Sequence, residues 1–161
     1  MSAMAMSAVQ GYVKDLIDKH PKFVEAGVQC ILDDGTYPKI PGLESQLRNV
    51  GLAVIVWRVT SLGLIDVNRT GLSNQLLHIA VVIQENTTVN RGAAAEGVTP
   101  SGILPLDAYQ FVTEAISGYP RNTPPGTPIL PHHEPFDDLG KVNGNWTIAA
   151  SFTKEHRITP L

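Results

Sequence analysis

Two runs of residues constrain the fold more than anything else in the chain: "LAVIVWRVT" at 52–60 and "LLHIAVVIQ" at 76–84. The first is almost continuously apolar and rich in β-branched side chains. The second puts Leu77, Ile79, Val81 and Ile83 on one face and Leu76, His78, Ala80 and Val82 on the other. A strand alternates its side chains between faces, so apolar residues on both faces mark strands interior to a sheet. Immediately after the second run the sequence turns polar, as "ENTTVNRG" at 85–92.

The elements around these strands follow from period and punctuation. Val9, Val13, Leu16 and Ile17 recur at helical spacing, which predicts an amphipathic helix over 5–20 that Pro21 stops. "VQCIL" (28–32) reads as a short strand ending in the Asp33-Asp34-Gly35 turn, "PKIPG" (38–42) as loop, and "LESQLRN" (43–49) as one or two helical turns. Residues 61–74 read as a loop or hairpin excursion, and the small residues of 92–102 as a loop. "PLDAYQFVTEAIS" (105–117) is a helix with Pro105 in its first turn and a buried stripe of Ala108, Tyr109, Val112, Ala115 and Ile116. Residues 119–136 hold six prolines and are expected to form a crossing loop. Asn143-Gly144 is a strong hairpin turn, and after it Trp146, Ile148, Ala150 and Phe152 share a face. Trp146 is expected in the core. The order implies one α+β domain over 1–161, a mostly antiparallel sheet with two main helices packed on one face.

Composition excludes several function classes. The chain of 161 residues has a formal net charge of −3 and no block of Lys or Arg, which argues against a protein that grips nucleic-acid phosphates. Its one cysteine, Cys30, forbids an intrachain disulfide framework and suits a buried, inert thiol. Only 17% of residues are charged, against about 25% in typical globular domains, which suits a surface partly covered by partners. No apolar run approaches the roughly 20 residues of a membrane-spanning helix, and the first residues lack the pattern of a secretory leader. Three Asn-x-Thr sequons are accordingly read as accidental.

The chain holds no phosphate-binding loop, dinucleotide fingerprint, nucleophile elbow or His-Glu-x-x-His. The best metal candidate is His132, His133 and Glu134 with Asp137 and Asp138, but adjacent His residues in extended chain point apart, whereas zinc needs convergent ligands. His78 reads as a packed, hydrogen-bonded side chain and Asp33-Asp34-Gly35 as a plain turn. In "ENTTVNRG" only Glu85 titrates, so no base has an orienting partner. Asn86 suits a helix cap. Arg91 suits bidentate recognition of a carboxylate, and Arg58 is expected to reach the sheet edge or pair with Glu85. The residue types favour a contact between subunits made by Glu85, Asn86, Asn90, Arg91 and Arg58, with Arg91→Ala expected to spare folding.

The succession of the helix around Val9–His20, the strands Leu52–Thr60 and Leu76–Gln84 running into "ENTTVNR", the helix Pro105–Ser117 and the last strand Asn145–Phe152 resembles the tail-terminator (tail-completion) proteins of tailed bacteriophages. The resemblance implies a structural virion protein with no catalytic residue, metal or cofactor. It implies a homohexameric ring, made in the host cytoplasm, that caps the head-proximal end of the tail tube. The implied partners are copies of itself, the tail-tube protein and a neck or head-completion protein. DNA would only pass through the lumen, and no membrane is involved. Competing readings are another neck or head-closure component, a small metal-dependent hydrolase using His132, His133 and Asp137, and a small-molecule binder with a pocket between sheet and helices.

Overall fold

The computed structural model describes residues 5–67, 73–92, 100–117 and 128–157. In chain order the elements are α1 (Met6–Asp18), α2 (Pro21–Ala26), β1 (Cys30–Leu32), α3 (Leu43–Asn49), β2 (Leu52–Val56), β3 (Thr60–Val67), β4 (Ser73–Glu85), α4 (Thr87–Arg91), α5 (Pro105–Ser117), β5 (Ile129–Val142) and β6 (Asn145–Arg157). They form the expected α+β fold. The sheet runs β1-β2-β4-β6-β5, and β3 pairs with the part of β4 that β2 leaves open. Among the described residues all pairings are antiparallel except β1 with β2.

Alternation along the strands sorts the core into two layers. Leu52, Val54 and Val56 of β2, the odd-numbered positions from Leu77 to Ile83 of β4, and Ile148, Ala150 and Phe152 of β6 meet Val9, Val13 and Ile17 of α1 and Ala108, Val112 and Ile116 of α5. Ala53, Ile55, Val82 and Ala149 face the other way, against Ile40, Leu43 and Leu47 on and before α3. The two main helices therefore share one face, and the short α3 covers one end of the opposite face. Polar side chains tie the first helix to the sheet. Gln10 Nε2 donates to the carbonyls of Asp33 and Val56, both at 2.9 Å, and Asp18 Oδ1 accepts from Cys30 N at 2.7 Å. Cys30 is buried and free, and burial pushes its thiol pKa far up, as expected of an inert thiol.

Several boundaries differ from the sequence expectation, each for a physical reason. The first apolar strand ends at Val56, and pairing resumes at Thr60 as β3, so much of the 61–74 excursion is a strand hairpinned with β4. Pro21 does not only stop α1: it opens α2, where a missing N–H costs nothing, with His20 as N-cap. The crossing loop expected over 119–136 becomes strand from Ile129, while 118–127 lie outside the described residues. Pro131 and Pro135 are tolerated there because β5 is an edge strand whose register shifts between Pro131 and Phe136. Asn143 and Gly144 make the predicted two-residue turn, with φ of 51° and 79°. Trp146 is not core. It shares the helix-layer face with Ile148 and Phe152 but is 36% exposed, and its indole N–H donates to Asp138 Oδ1 at 3.2 Å.

Phe152→Ala should therefore cost about 3–5 kcal/mol in urea denaturation, as for other buried aromatics. Trp146→Ala should cost clearly less. Equal losses would place Trp146 in the core after all.

Candidate functional site

The polar corner begins where β4 runs out. Glu85 pairs in register with Leu52 and Trp146, so its side chain faces the helix layer and is 0% exposed. An ionised carboxylate taken that far from water must be paired and hydrogen-bonded. The chain supplies this by doubling back. Asn86 caps α4, its Oδ1 accepting from Val89 N at 3.3 Å, and its own N–H donates to the Gly51 carbonyl at 2.9 Å. That turn brings Asn90 Nδ2 to Glu85 Oε2 at 2.6 Å. It also brings Arg91 to both carboxylate oxygens, Nε at 3.1 and 3.0 Å and Nη2 to Oε1 at 2.8 Å. The carboxylate beside it raises the Arg91 pKa further.

Asn90 is 5% exposed and fully used. Its Nδ2 also donates to the Ile103 carbonyl at 2.9 Å, and its Oδ1 accepts from Ser101 Oγ at 2.5 Å. Ser101 N in turn donates to the Val50 carbonyl at 2.9 Å. Gly51, at φ 83°, is required here: a Cβ would sit 2.5 Å from Asn90 N. Both ends of the 92–102 connection are thus pinned to one buried carboxylate, with 93–99 outside the described residues.

This arrangement corrects three expectations. Glu85 and Asn90 are spent inside their own chain and present no surface to a neighbour. Arg91 does bind a carboxylate in bidentate fashion, but the carboxylate is Glu85. Arg58 does not pair with Glu85. Glu85 lies opposite Leu52 at the start of β2, whereas Arg58 lies past its end, exposed, with its guanidinium over Gly35. Of the five residues, only Asn86, Arg91 and Arg58 retain solvent exposure. Arg91→Ala is accordingly expected to destabilise the fold, because it strands a buried carboxylate.

The imidazoles form a second cluster. His132 and His133 do not point apart. The irregular stretch of β5 lays their rings together, with centroids at 4.0 Å, and His78 of β4 meets His132 edge-on at 5.8 Å. Glu134 N donates to His132 Nδ1 at 3.0 Å, so that nitrogen is an acceptor and the ring's proton sits on Nε2. Asp137 and Asp138 fall in register with Ala149 and Ile148 and so lie on opposite faces. Among the described residues no three of His, Cys, Asp and Glu converge as a metal set. Burial, and secondarily His132, lowers the His78 pKa, and burial lowers that of His156. The Asp33–Gly35 segment is the expected turn, Asp33 Oδ1 accepting from Gly35 N at 2.8 Å.

A third arrangement was not legible from spacing. Gln84, 1% exposed, donates through Nε2 to Tyr37 Oη at 2.9 Å and to Thr147 Oγ1 at 3.2 Å, on the α3 face. His20 Nε2 and Glu114 Oε2, 2.9 Å apart, join the first helical hairpin to α5, and the contact lowers the Glu114 pKa after that of Gln110.

No family model matches the chain, and no curated protein matches it. Two solved structures from Akkermansia muciniphila align with it loosely. One is 12% identical, covering 100% of this chain and 82% of its own, with a TM-score of 0.35. The other, described as lacking its transmembrane region, is 11% identical, covering 100% and 90%, with a TM-score of 0.33. At those TM-scores neither likeness bears on fold or function. Among the described residues no helix is long and apolar enough to cross a membrane.

Two measurements test the site. Thermal melts of Asn90→Ala should show a loss on the order of 1–3 kcal/mol, the usual cost of orphaned buried partners. Arg91→Ala should lower the melting temperature, with Glu85→Gln in the same background recovering part of it. A wild-type melt for Arg91→Ala would break this account. For pH, the folded His78 and His156 bind protons less readily than the unfolded chain, so the unfolded state gains protons first as pH falls. Their contribution is complete above about 6.5, the ordinary imidazole value, and declines as pH drops below it. The melting temperature between pH 7.5 and 5 should fall less steeply in His78→Gln than in the wild type.

Proposed function

We propose that the chain is a non-catalytic structural subunit that associates with copies of itself into a ring, as the tail-completion proteins it resembles do. On this reading it belongs to the virion, caps the head-proximal end of a phage tail tube, and joins it to the neck. One observation carries the associating role. β4 and β6 are each 13 residues long and stay paired from Asn74↔Arg157 to Glu85↔Trp146. At about 3.4 Å per residue they span roughly 44 Å. α5 also has 13 residues but spans only about 20 Å at 1.5 Å per residue.

The sheet therefore outruns its helical cover. On the α3 face, the end of the sheet built from Thr60, Leu76, His78, Ser151 and Thr153 lies outside the cluster packed under α3; the His132 ring meets His78 there, and Leu130 beside it is 55% exposed. Leu62, at the register shift of β3, is 50% exposed. A sheet end that exposes Leu62 and Leu130 among hydroxyl and imidazole side chains supports a contact surface. Asn86, Arg91 and Arg58 retain solvent exposure, the first two at the Glu85 end of β4 and Arg58 past the far end of β2. The narrower assignment to the tail terminus, rather than to another neck component, rests on the order of elements.

Light scattering across a wide concentration range, with negative-stain imaging, tests the reading. The expected result is a closed ring of about six copies, from head-to-tail contacts that close, and loss of the ring in Leu130→Asp. A strict monomer at every concentration, with and without tail tubes, would overturn it.

A further inference from the structure

A cleft of about 690 Å³ lies between the 38–47 segment and the adjoining ends of β4 and β6. That volume is in the range of ligand-binding cavities, which run from about 300 to 1,000 Å³. Its floor is Gln84, and the orientation of that carboxamide is set by its neighbours. Thr147 Oγ1 spends its proton on the Asn145 carbonyl at 3.0 Å, so toward Gln84 it can only accept. Gln84 Nε2 is therefore the donor to Thr147 and Tyr37, and Gln84 Oε1 is left over. That oxygen accepts no hydrogen bond from the described residues, although the side chain is 99% buried and lines the cleft. Because Gln84 lines the cleft, that acceptor is open to a ligand N–H.

The rest of the cleft narrows the ligand. Asn145 at the rim adds a second carboxamide, and Ile40, Leu43 and Leu47 form an apolar wall. The charges lining it, Lys39 and Glu44, cancel. We propose that this cleft binds an extended, uncharged peptide segment of a partner chain. A peptide unit offers an N–H to Gln84 Oε1 and a C=O to a carboxamide donor, and one apolar side chain of the segment lies against Ile40, Leu43 and Leu47. A net anionic or cationic ligand finds no unbalanced charge to meet. The inference goes beyond the ring reading and does not rest on it.

The test is amide NMR on the full ¹⁵N-labelled chain, titrated with N-acetyl-leucine-N′-methylamide, a neutral probe with two amides and one apolar side chain. Acetate and methylammonium serve as charged controls. The expected result is saturable shifts of the Gln84 side-chain amide and of Leu43 and Leu47, absent with either ion. Gln84→Met should weaken the probe roughly tenfold, the usual worth of one hydrogen bond. Because Gln84 also holds Tyr37 and Thr147, Asn145→Ala at the rim gives a second variant that keeps the native spectrum and still weakens the probe. No saturable shift, equal shifts with an ion, or unchanged affinity in both variants overturns the proposal. The ring is read from particle mass, so either reading can fail alone.

Discussion

The antiparallel ladder between β4 and β6 is the constraint on which the rest of the structure depends. Twelve residue pairs run without a register shift from Asn74↔Arg157 to Glu85↔Trp146. A slip of one residue would turn every apolar side chain of β4 to the opposite face. Both faces are buried where helices lie on them, and the odd and even positions then differ in what they meet. Leu77, Ile79, Val81 and Ile83 need the broad layer of α1 and α5, whereas Val82 and Gln84 need the smaller, partly polar cover of α3. The same register puts Glu85 on the helix face, and so creates the problem that the next six residues solve.

That problem is a charge without water. β4 could have ended in a neutral residue, and the corner would then need neither Asn90 nor Arg91. With Glu85 in place, the chain must turn within a few residues and return two donors to it. A capped single turn of helix does this, and the close approach of Asn90 to Gly51 lets it fit. The pair is weak evidence for net stability, since desolvation offsets much of the Coulomb gain. Its value is positional. It fixes where the 92–102 connection leaves the sheet and where it returns, through Arg91 on one side and Ser101 on the other.

The fold was legible wherever one period dominated. β2, β4, α1, α5 and the Asn143-Gly144 turn all follow from local pattern and punctuation. β3 was obscure because Gly63 and two register shifts break its alternation. β5 was obscure because its prolines and paired histidines look like loop, and nothing local says that the strand lies at an edge, where prolines are harmless. The corner was half legible. Its residue types, its cap and the carboxylate-binding role of Arg91 were readable, but not which carboxylate Arg91 holds. Arg91 lies six positions after Glu85, a spacing at which neither a helix nor a strand brings two side chains into contact, so only the fold brings them together. Gln84 was harder still, since Tyr37 and Thr147 lie 47 and 63 positions away. The same holds for His78 and His132, joined only by the β4–β6–β5 order.

The two candidate contact surfaces lie at opposite ends of the long strands. The overhanging end gathers Thr60, His78 and Leu130, while the cleft gathers Gln84 and Asn145 at the other end. A surface that matched itself would favour two-fold pairing and would stop at a dimer. If copies associate as proposed, unlike ends favour contacts that run in one direction from copy to copy. Such contacts close into a ring only if the rotation per copy divides a full turn, and otherwise they grow into a filament. The rigidity of the β4–β6 ladder then matters beyond stability. In the proposed ring, the twelve unbroken pairs would set the angle between successive copies, and that angle would decide between a cap of defined size and open-ended growth.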